Sequence, residues 1–411
     1  MIQEFKKTYK KYIIGMLWVL GLLWPLLGIH PDGTLSFGET FTLWLYILAG
    51  TFVFFLLSLM NKSSNLKIIT NPLAIGFNKT STYVKAIPTW ILLLIALIFA
   101  LLYPQFTGRY AQDVAINVLI YVCLGLGLNI VVGLAGMLDL GYIAFYGVGA
   151  YSYALLNMHF GMSFWICLPI AALFALIAGC IVGWPTLRMR GDYLAIVTLG
   201  FGEIVRIILN NWMTLTNGPN GIMGFKPIGI YYPSFENGFF NITWEHLWLK
   251  KLYLIYYVVL VLAIITIVCI HRLNMSRVGR AWESIREDET ASELMGVNTF
   301  IYKLLAYAMG ALFAGMAGAF FAARMRFVSP ESFTFLESAM VLCMVVLGGM
   351  GSIPGIILGS AALIILPEVF RGFEMYRMLA FGGVMIVMML FRPAGLIPAK
   401  RMGTRSEERE A

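Results

Sequence analysis

The chain has 411 residues, of which 60% are hydrophobic and 12% are charged. Soluble domains are roughly half apolar and roughly a quarter charged, so this composition excludes a soluble enzyme, a nucleic-acid-binding protein and a disordered chain. It predicts instead an integral membrane protein with many spans. The formal net charge of +8 is then typical of basic cytoplasmic loops and does not indicate nucleic acid.

In chain order, the first segment is an N-terminal extension, 1–105, with three apolar runs at 13–29, 41–60 and 87–103. The loop between the first two runs has acids and no lysine or arginine, whereas 61–85 has four lysines and no acid. Because Lys and Arg collect on the cytoplasmic side, this asymmetry predicts a cytoplasmic N-terminus and a cytoplasmic 61–85 loop.

The second segment, 106–400, is predicted to be the main body of the chain, and a disordered cytoplasmic tail is predicted at 401–411. Further apolar runs in the core lie at 114–138, 140–160, 163–185, 193–210, 252–271, 300–323, 335–350, 354–370 and 377–392. With the extension they predict an all-α polytopic bundle of about 11–12 spans. Glycine-rich joints at 133–141 and 348–355 suggest broken or re-entrant helices.

Catalytic and metal-binding patterns are missing from the sequence. The five cysteines lie in apolar runs without a C-x-x-C pair, and the four histidines have no H-x-x-x-H spacing. The sequence also has no G-x-x-x-x-G-K-[ST] loop and no G-x-S-x-G elbow. We therefore expect a chain that is not an enzyme and that binds no metal or cofactor itself.

The most informative loop is 272–299, the only long charged stretch between two late spans, and it is predicted to be cytoplasmic. Trp282, Ile285, Ala291, Leu294 and Met295 give it a partial apolar face at helical spacing. Five acids cluster between positions 283 and 293, which disfavours adhesion to anionic lipid. The pattern favours docking on a partner protein, with an ordinary solvated loop as the alternative.

Several blocks in order resemble one family. GRAWESIREDETASELMGVN, at 279–298, is similar to the coupling loop of ABC importer permeases, although its spacing is one residue longer than the general pattern. LRMRGDYLAIVTLGFGEIVRIILNN (187–211), NGPNGI (217–222), SPESFTFLESA (329–339) and VVLGGMGSIPG (345–355) resemble the LivM-type permease of branched-chain amino-acid ABC importers. The resemblance covers roughly 110–400, and the 1–105 extension resembles an N-terminal addition of many such subunits.

The resemblance implies a translocating subunit in the bacterial inner membrane. Two cytoplasmic ATPase subunits would hydrolyse ATP with Mg²⁺, a second homologous permease would complete the pore, and an external binding protein would deliver the amino acid. The implied coupling residues are Arg280, Glu283, Arg286, Glu287, Asp288, Glu289, Glu293 and Gly296. The alternatives are a urea or other small-solute permease of the same superfamily, or an ion-coupled secondary transporter.

Polar residues within or next to the spans are the remaining candidates. Candidates for translocation or gating are Asn129, Tyr193, Thr198, Glu203 and Arg206. Glu203 and Arg206 stand three apart on one helical face, where pairing is expected, and a salt bridge holding two helices is the favoured interpretation. Candidates for external docking, in the predicted outer segment 211–251, are Asn217, Pro219 and Asn220, with an ordinary turn as the alternative.

Two further expectations concern residues outside that set. Asp139 lies near a predicted break and is expected to be solvated. Small residues repeat every fourth position in the run at 300–323, as Gly310, Ala314 and Gly318 and as Ala311, Gly315 and Ala319. This spacing predicts close packing against a neighbouring helix of the same chain.

Overall fold

The computed structural model describes residues 98, 100–189, 191–235, 242–248, 251–369, 382–383, 386 and 395–398. All of them belong to one compact unit, Ala96–Ala411. Nearly all of the predicted extension at 1–105, most of the predicted span at 377–392 and the predicted tail at 401–411 lie outside the described residues.

The described part is a helical bundle. Its long helices are α1 (Arg109–Leu128), α2 (Ile143–Phe160), α3 (Phe164–Thr186), α4 (Asp192–Asn211), α6 (Leu252–Asn274), α9 (Thr299–Met325), α10 (Phe335–Gly348) and α11 (Ile353–Val369). Short helices are α5 (Met213–Thr216), α7 (Arg277–Glu287) and α8 (Glu289–Leu294). Among the described residues, five helices are long and apolar enough to cross a membrane: α1 with its continuation to Leu134, α3, α4, α6 and α9. The predicted polytopic α-helical fold is confirmed.

Helix α9 lies at the centre of the bundle, because small residues let three neighbours approach its backbone. A Cβ on Gly315 would lie 2.4 Å from the Cβ of Ala175 in α3, and one on Gly318 would lie 2.1 Å from the carbonyl oxygen of Tyr146 in α2. A Cβ on Gly310 would lie 3.2 Å from the carbonyl oxygen of Gly127 in α1. The prediction that these stripes pack against helices of the same chain is confirmed.

The predicted break at 133–141 is present and lies inside the bundle. Helix α1 continues as a π-helix, the π segment (Asn129–Leu134), and 135–142 has no regular structure before α2 begins at Ile143. The Tyr142 hydroxyl donates to the carbonyl oxygen of Gly310, near the middle of α9, at 3.1 Å. Helix α2 therefore starts about halfway along the bundle, and its first backbone N–H, at Ile143, is satisfied by the Ser338 hydroxyl of α10 at 3.1 Å.

The second predicted break, at 348–355, separates α10 from α11. Gly349 and Gly351 have φ angles of 113° and 88°, which glycine adopts without the strain of a side chain. The Gly351 N–H donates to the Asn129 side-chain oxygen at 2.8 Å. Asn129 thus joins the two breaks of the bundle.

The two ends of the bundle differ. One end, the helix-pair end, carries α7 and α8; the other, the strand end, carries short strands that sequence analysis did not predict. Strands β1 (Ile222–Met223) and β4 (Phe327–Val328) pair antiparallel with Ile222 opposite Val328, and β2 (Gly229–Phe235) pairs antiparallel with β3 (Ile242–Trp248). The β-branched and aromatic residues of GIYYPSF and ITWEHLW were an available strand signal.

An ion pair closes the strand end. The Arg324 guanidinium, at the last turn of α9, donates to Asp113 and to Asn117 in α1, both at 2.5 Å. The Arg324 side chain is 7% exposed and that of Asp113 is 51% exposed. This contact fixes the end of α9 to the start of α1.

Candidate functional site at the helix-pair end

The loop at 272–299 folds as two capped helices. The Ser276 hydroxyl accepts from the N–H groups of Val278 and Gly279 at the start of α7, at 3.1 and 3.3 Å. Asp288 separates the two helices, and its carboxylate accepts from the Ala291 N–H at 3.0 Å, which caps α8.

Gly296 ends α8. Its φ of +86° is left-handed, its N–H donates to Glu293 O, and the N–H of Val297 donates to Ser292 O. These two bonds form a Schellman motif, for which glycine is the usual residue. Asp288 and Gly296 are therefore the start and stop signals of this short helix.

The predicted apolar face divides into two parts. Trp282 is fully buried and its indole N–H donates to Tyr302 O at the start of α9, at 2.8 Å, while Ile285 is 4% exposed. Leu294 and Met295 are each 84% exposed. The first part thus anchors the helix pair to its own bundle, and the second leaves an uncovered apolar tip.

Two charged residues of the helix pair contact the bundle. The Arg286 guanidinium donates to Gly133 O in the π segment, and a Cβ on Gly136 (φ +73°) would lie 2.8 Å from Cγ of Arg286. Glu289 forms an ion pair with Lys303 of α9 at 2.6 Å, and Lys303 is only 8% exposed. The other predicted coupling residues lie toward solvent: Arg280, Glu287, Asp288 and Glu293 are exposed, and Glu283 is partly exposed.

A cavity of about 320 Å³ lies between this helix pair and the first break. Its walls are 135–138 from the break, Met189, Gly191 and Leu194 around the start of α4, and Ile285, Arg286, Glu289 and Lys303. A rotation of the helix pair would therefore act directly on the residues that follow the π segment.

The predicted translocation residues occupy separate places. Asn129 and Thr198 are fully buried; the Thr198 hydroxyl accepts from Leu140 N–H at 3.1 Å and donates to Ala195 O at 3.0 Å. Tyr193 is 73% exposed on the outside of α4. The structure thus brings Thr198 to the first break and places Tyr193 away from it.

The expectation that Asp139 is solvated is wrong. Asp139 is 1% exposed, because the break lies inside the bundle and not at its surface. One carboxylate oxygen, Oδ1, accepts from Gly141 N–H at 2.9 Å, which is the bond of an Asx turn. The other, Oδ2, is buried and makes no hydrogen bond among the described residues, although the side chains of Thr198 and Tyr307 lie against the carboxylate.

Glu203 and Arg206 form the expected ion pair, at 2.8 Å, but within α4. The interpretation that this salt bridge holds two helices is therefore wrong. Residues three apart on a helix are neighbours on one face, so the Glu203 carboxylate pairs with Arg206 of the same helix. Both side chains remain about one-third exposed, at 33% and 34%.

Asn217, Pro219 and Asn220, predicted to be external docking residues, are exposed on a tight turn at the strand end. Asn217 has a φ of 58°, and its side-chain amide donates to Gly221 O at 2.9 Å. A Cβ on Gly221 would lie 2.3 Å from Val328 O, so the turn packs closely against β4. The structure explains the glycines of this turn and does not test docking.

Sequence reasoning missed four groups: the Gly133 carbonyl, Lys303, Tyr307 and Ser338. Lys303 was detectable as the only charged residue in the first half of the apolar run at 300–323. The Gly133 carbonyl had no signal, because it becomes an acceptor for Arg286 only at the end of a π-helix.

Comparison with known proteins defines the class. The family described as "Branched-chain amino acid transport system / permease component" matches residues 110–391, and the chain belongs to this family. It is a permease of the membrane-embedded, multi-pass helical type.

Individual relatives agree with this. The chain is 42% identical over 403 residues to the high-affinity branched-chain amino acid transport system permease protein LivM of Escherichia coli K12, covering 94% of this chain and 93% of the relative. It is 25% identical over 292 residues to the LivH permease protein of the corresponding system of Salmonella typhimurium LT2, covering 67% and 91%. A probable LivM of Methanocaldococcus jannaschii is 23% identical over 250 residues, covering 57% and 68%. No solved structure matches the chain.

Proposed function

We propose that the chain is the translocating subunit of an ATP-driven importer for leucine, isoleucine and valine. It works with a second permease of the same family, two ATPase subunits on the cytoplasmic side and an external binding protein. It lies in the bacterial inner membrane with both termini and the helix pair in the cytoplasm. The 42% identity to a branched-chain amino-acid permease over nearly the whole of both chains supports the substrate class.

The observation that carries the mechanism is the position of α7 and α8. The pair exposes an apolar tip, Leu294 and Met295, that a partner groove would cover. On its other side the pair hydrogen-bonds to the π segment through Arg286 and to α9 through Trp282. Movement imposed on the tip by ATPase closure would thus reach the first break, which is the mechanical requirement for coupling ATP hydrolysis to transport.

Uptake of labelled leucine by proteoliposomes holding the purified complex tests this function. Uptake should need ATP on the side of the ATPase subunits and the binding protein on the other side. Uptake that continues without ATP but collapses with the proton or sodium gradient would show a secondary transporter. ATP-driven uptake of urea without uptake of leucine would assign the other substrate class of the superfamily.

Docking of the tip can be tested separately. Replacing both residues, L294D/M295D, should reduce the ATPase subunits that co-purify with the chain by about tenfold or more, since an exposed apolar anchor at an interface is replaced by charge. The matched control is Met223→Asp, an apolar side chain 63% exposed at the strand end. Equal loss in both variants, or in neither, would contradict docking at the tip.

A further inference from the structure

Asp139 is a buried carboxylate that takes no part in the proposed coupling mechanism. It is 1% exposed, it lies in the first break of a membrane protein, and its Oδ2 has no hydrogen-bond partner within the part of the chain that the structure describes. An ionisable group inside a bundle of spanning helices is costly, and it is retained where it pairs with a charge or handles a substrate. The turn bond from Gly141 N–H accounts for Oδ1 alone.

The cavity at the helix-pair end lies near this carboxylate and ends at Leu138, the residue before Asp139. Leu194 of α4 and Lys303 of α9 line the cavity. Residues four apart on a helix share a face, so Thr198 and Tyr307 lie one turn deeper on the same two faces. Both of these side chains lie beside the Asp139 carboxylate. Asp139 therefore lies one helical turn beyond the inner end of the cavity.

Among the described residues, the surroundings of Asp139 supply oxygen atoms and no positive charge. Thr198 and Tyr307 place hydroxyl groups against the carboxylate, and the Gly141 N–H binds Oδ1. The two cations that line the cavity are engaged elsewhere, Arg286 with Gly133 O and Lys303 with Glu289. Carboxylate and hydroxyl oxygens in one place form an acceptor set for a group with three N–H donors.

We propose that Asp139, with the hydroxyls of Thr198 and Tyr307, forms a subsite for the primary ammonium group of the transported amino acid. The inference rests on the proposed function, because it takes an amino acid to be the substrate. The ammonium supplies the positive partner that the Asp139 carboxylate lacks among the described residues. It donates to Oδ2 and to the hydroxyl oxygens of Thr198 and Tyr307. The subsite lies between the first break and the cavity, so the substrate is held by its amino end as it leaves toward the helix-pair end.

Asp139→Asn tests the charge without removing the turn bond, because the asparagine oxygen still accepts from Gly141 N–H. Leucine uptake, normalised to the amount of assembled complex, should fall at least about tenfold, the effect of losing one charge-assisted hydrogen bond. The matched control is Asp113→Asn, the same chemical change at a half-exposed carboxylate; Arg324 keeps the Asn117 oxygen and the new amide oxygen as acceptors, so uptake normalised to assembled complex should stay within about twofold of wild type. Uptake by Asp139→Asn at the control level overturns the subsite.

Chemical labelling tests the ammonium itself. A hydrophobic carbodiimide should modify Asp139 in the intact complex, as measured by peptide mass spectrometry. Leucine and isoamylamine, which share the ammonium and the side chain, should each slow this labelling at least about fivefold. The keto acid 4-methyl-2-oxopentanoate has the same side chain and carboxylate but no ammonium, and it should not slow it.

The two ways of failing are separate. Absence of ATP-driven leucine uptake by the wild-type complex is a failure of the proposed function, and the labelling still decides the subsite. Equal protection by the amines and the keto acid, or protection by neither amine, overturns the subsite even when leucine is transported.

Discussion

Arg286 connects the outer helix pair to the interior of the bundle through a single carbonyl. The last carbonyl groups of a helix have no partner within the helix, and the guanidinium of Arg286 satisfies the one at Gly133. The break at 135–142 begins directly after this point. Arg286, a predicted coupling residue, thus contacts the backbone just before the segment that carries Asp139.

Arg286→Ala should uncouple transport from ATP hydrolysis. Loss of a hydrogen bond to a charged group costs about 1.5–3 kcal/mol, so uptake per ATP hydrolysed should fall by about tenfold or more. The uptake per ATP hydrolysed by Arg286→Lys should lie between those of wild type and Arg286→Ala, because an ammonium lacks the planar fork of a guanidinium. The ratio of leucine uptake to phosphate release measures this, with Arg277→Ala, exposed on α7, as control. An unchanged ratio in Arg286→Ala would refute the link.

Glu289 has a role within the chain that its place in the sequence motif does not reveal. Its carboxylate neutralises Lys303, which is 8% exposed. Glu289→Gln leaves that ammonium with no anion and should lower the free energy of unfolding by about 1–3 kcal/mol. The double variant E289Q/K303M should be more stable than Glu289→Gln alone, because it also removes the buried ammonium of Lys303 that Glu289→Gln leaves unpaired. Thermal unfolding of the purified chain in detergent measures both; equal stability of the two variants would contradict the argument.

At the scale of whole elements, the apolar runs predicted the helices well. The run predicted at 163–185 is Phe164–Thr186, and that at 300–323 is Thr299–Met325. Length and hydropathy decide whether a segment can span, and both are local properties of the sequence. The glycine-rich joints likewise indicated both breaks, because glycine is the residue that non-helical backbone inside a bundle requires.

The depth of the first break could not be predicted. It depends on bonds between residues far apart in the chain, from Tyr142 to Gly310 O and from Ile143 N–H to Ser338. For the same reason the sequence placed Asp139 in solvent and left Tyr307 unnoticed. The candidate coupling residues were found by their order, but their division into anchoring and exposed groups needed the packing of Trp282 against α9.

The packing of α2 on α9 predicts a difference between two glycines. Gly318→Ala would place a methyl group 2.1 Å from Tyr146 O and 2.9 Å from Ala150 N, so the helices must separate. Overpacking of this kind costs about 1–3 kcal/mol. Gly200→Ala in α4, with no atom within 4 Å of the new methyl group, should keep or raise stability, because alanine is the better helix former. Thermal unfolding in detergent distinguishes them, and a Gly318→Ala variant as stable as Gly200→Ala would contradict the close contact.

At the scale of the whole molecule, the distribution of basic residues predicts which end of the bundle faces the cytoplasm. Among the predicted loops, those assigned to the cytoplasm include the lysine-rich 61–85 and the C-terminal segment with Lys400 and Arg401. The helix pair is the exception, since five acids lie between Glu283 and Glu293, and the predicted number of spans predicts that it lies on the same side. Its reversed local charge would suit a partner surface that is basic.

This orientation is testable with two single cysteines in a chain without its five native ones. Met295→Cys at the helix-pair end and Met223→Cys at the strand end replace side chains that are 84% and 63% exposed, so both thiols should be reachable in water. A membrane-impermeant maleimide added to intact spheroplasts should label Met223→Cys and should label Met295→Cys only after the membrane is opened. Because the spans between the two positions fix them to opposite ends, the labelling must be reciprocal if the bundle crosses the bilayer. Labelling of Met295→Cys in closed spheroplasts with protection of Met223→Cys would reverse the orientation and remove the helix pair from the side where ATP is hydrolysed.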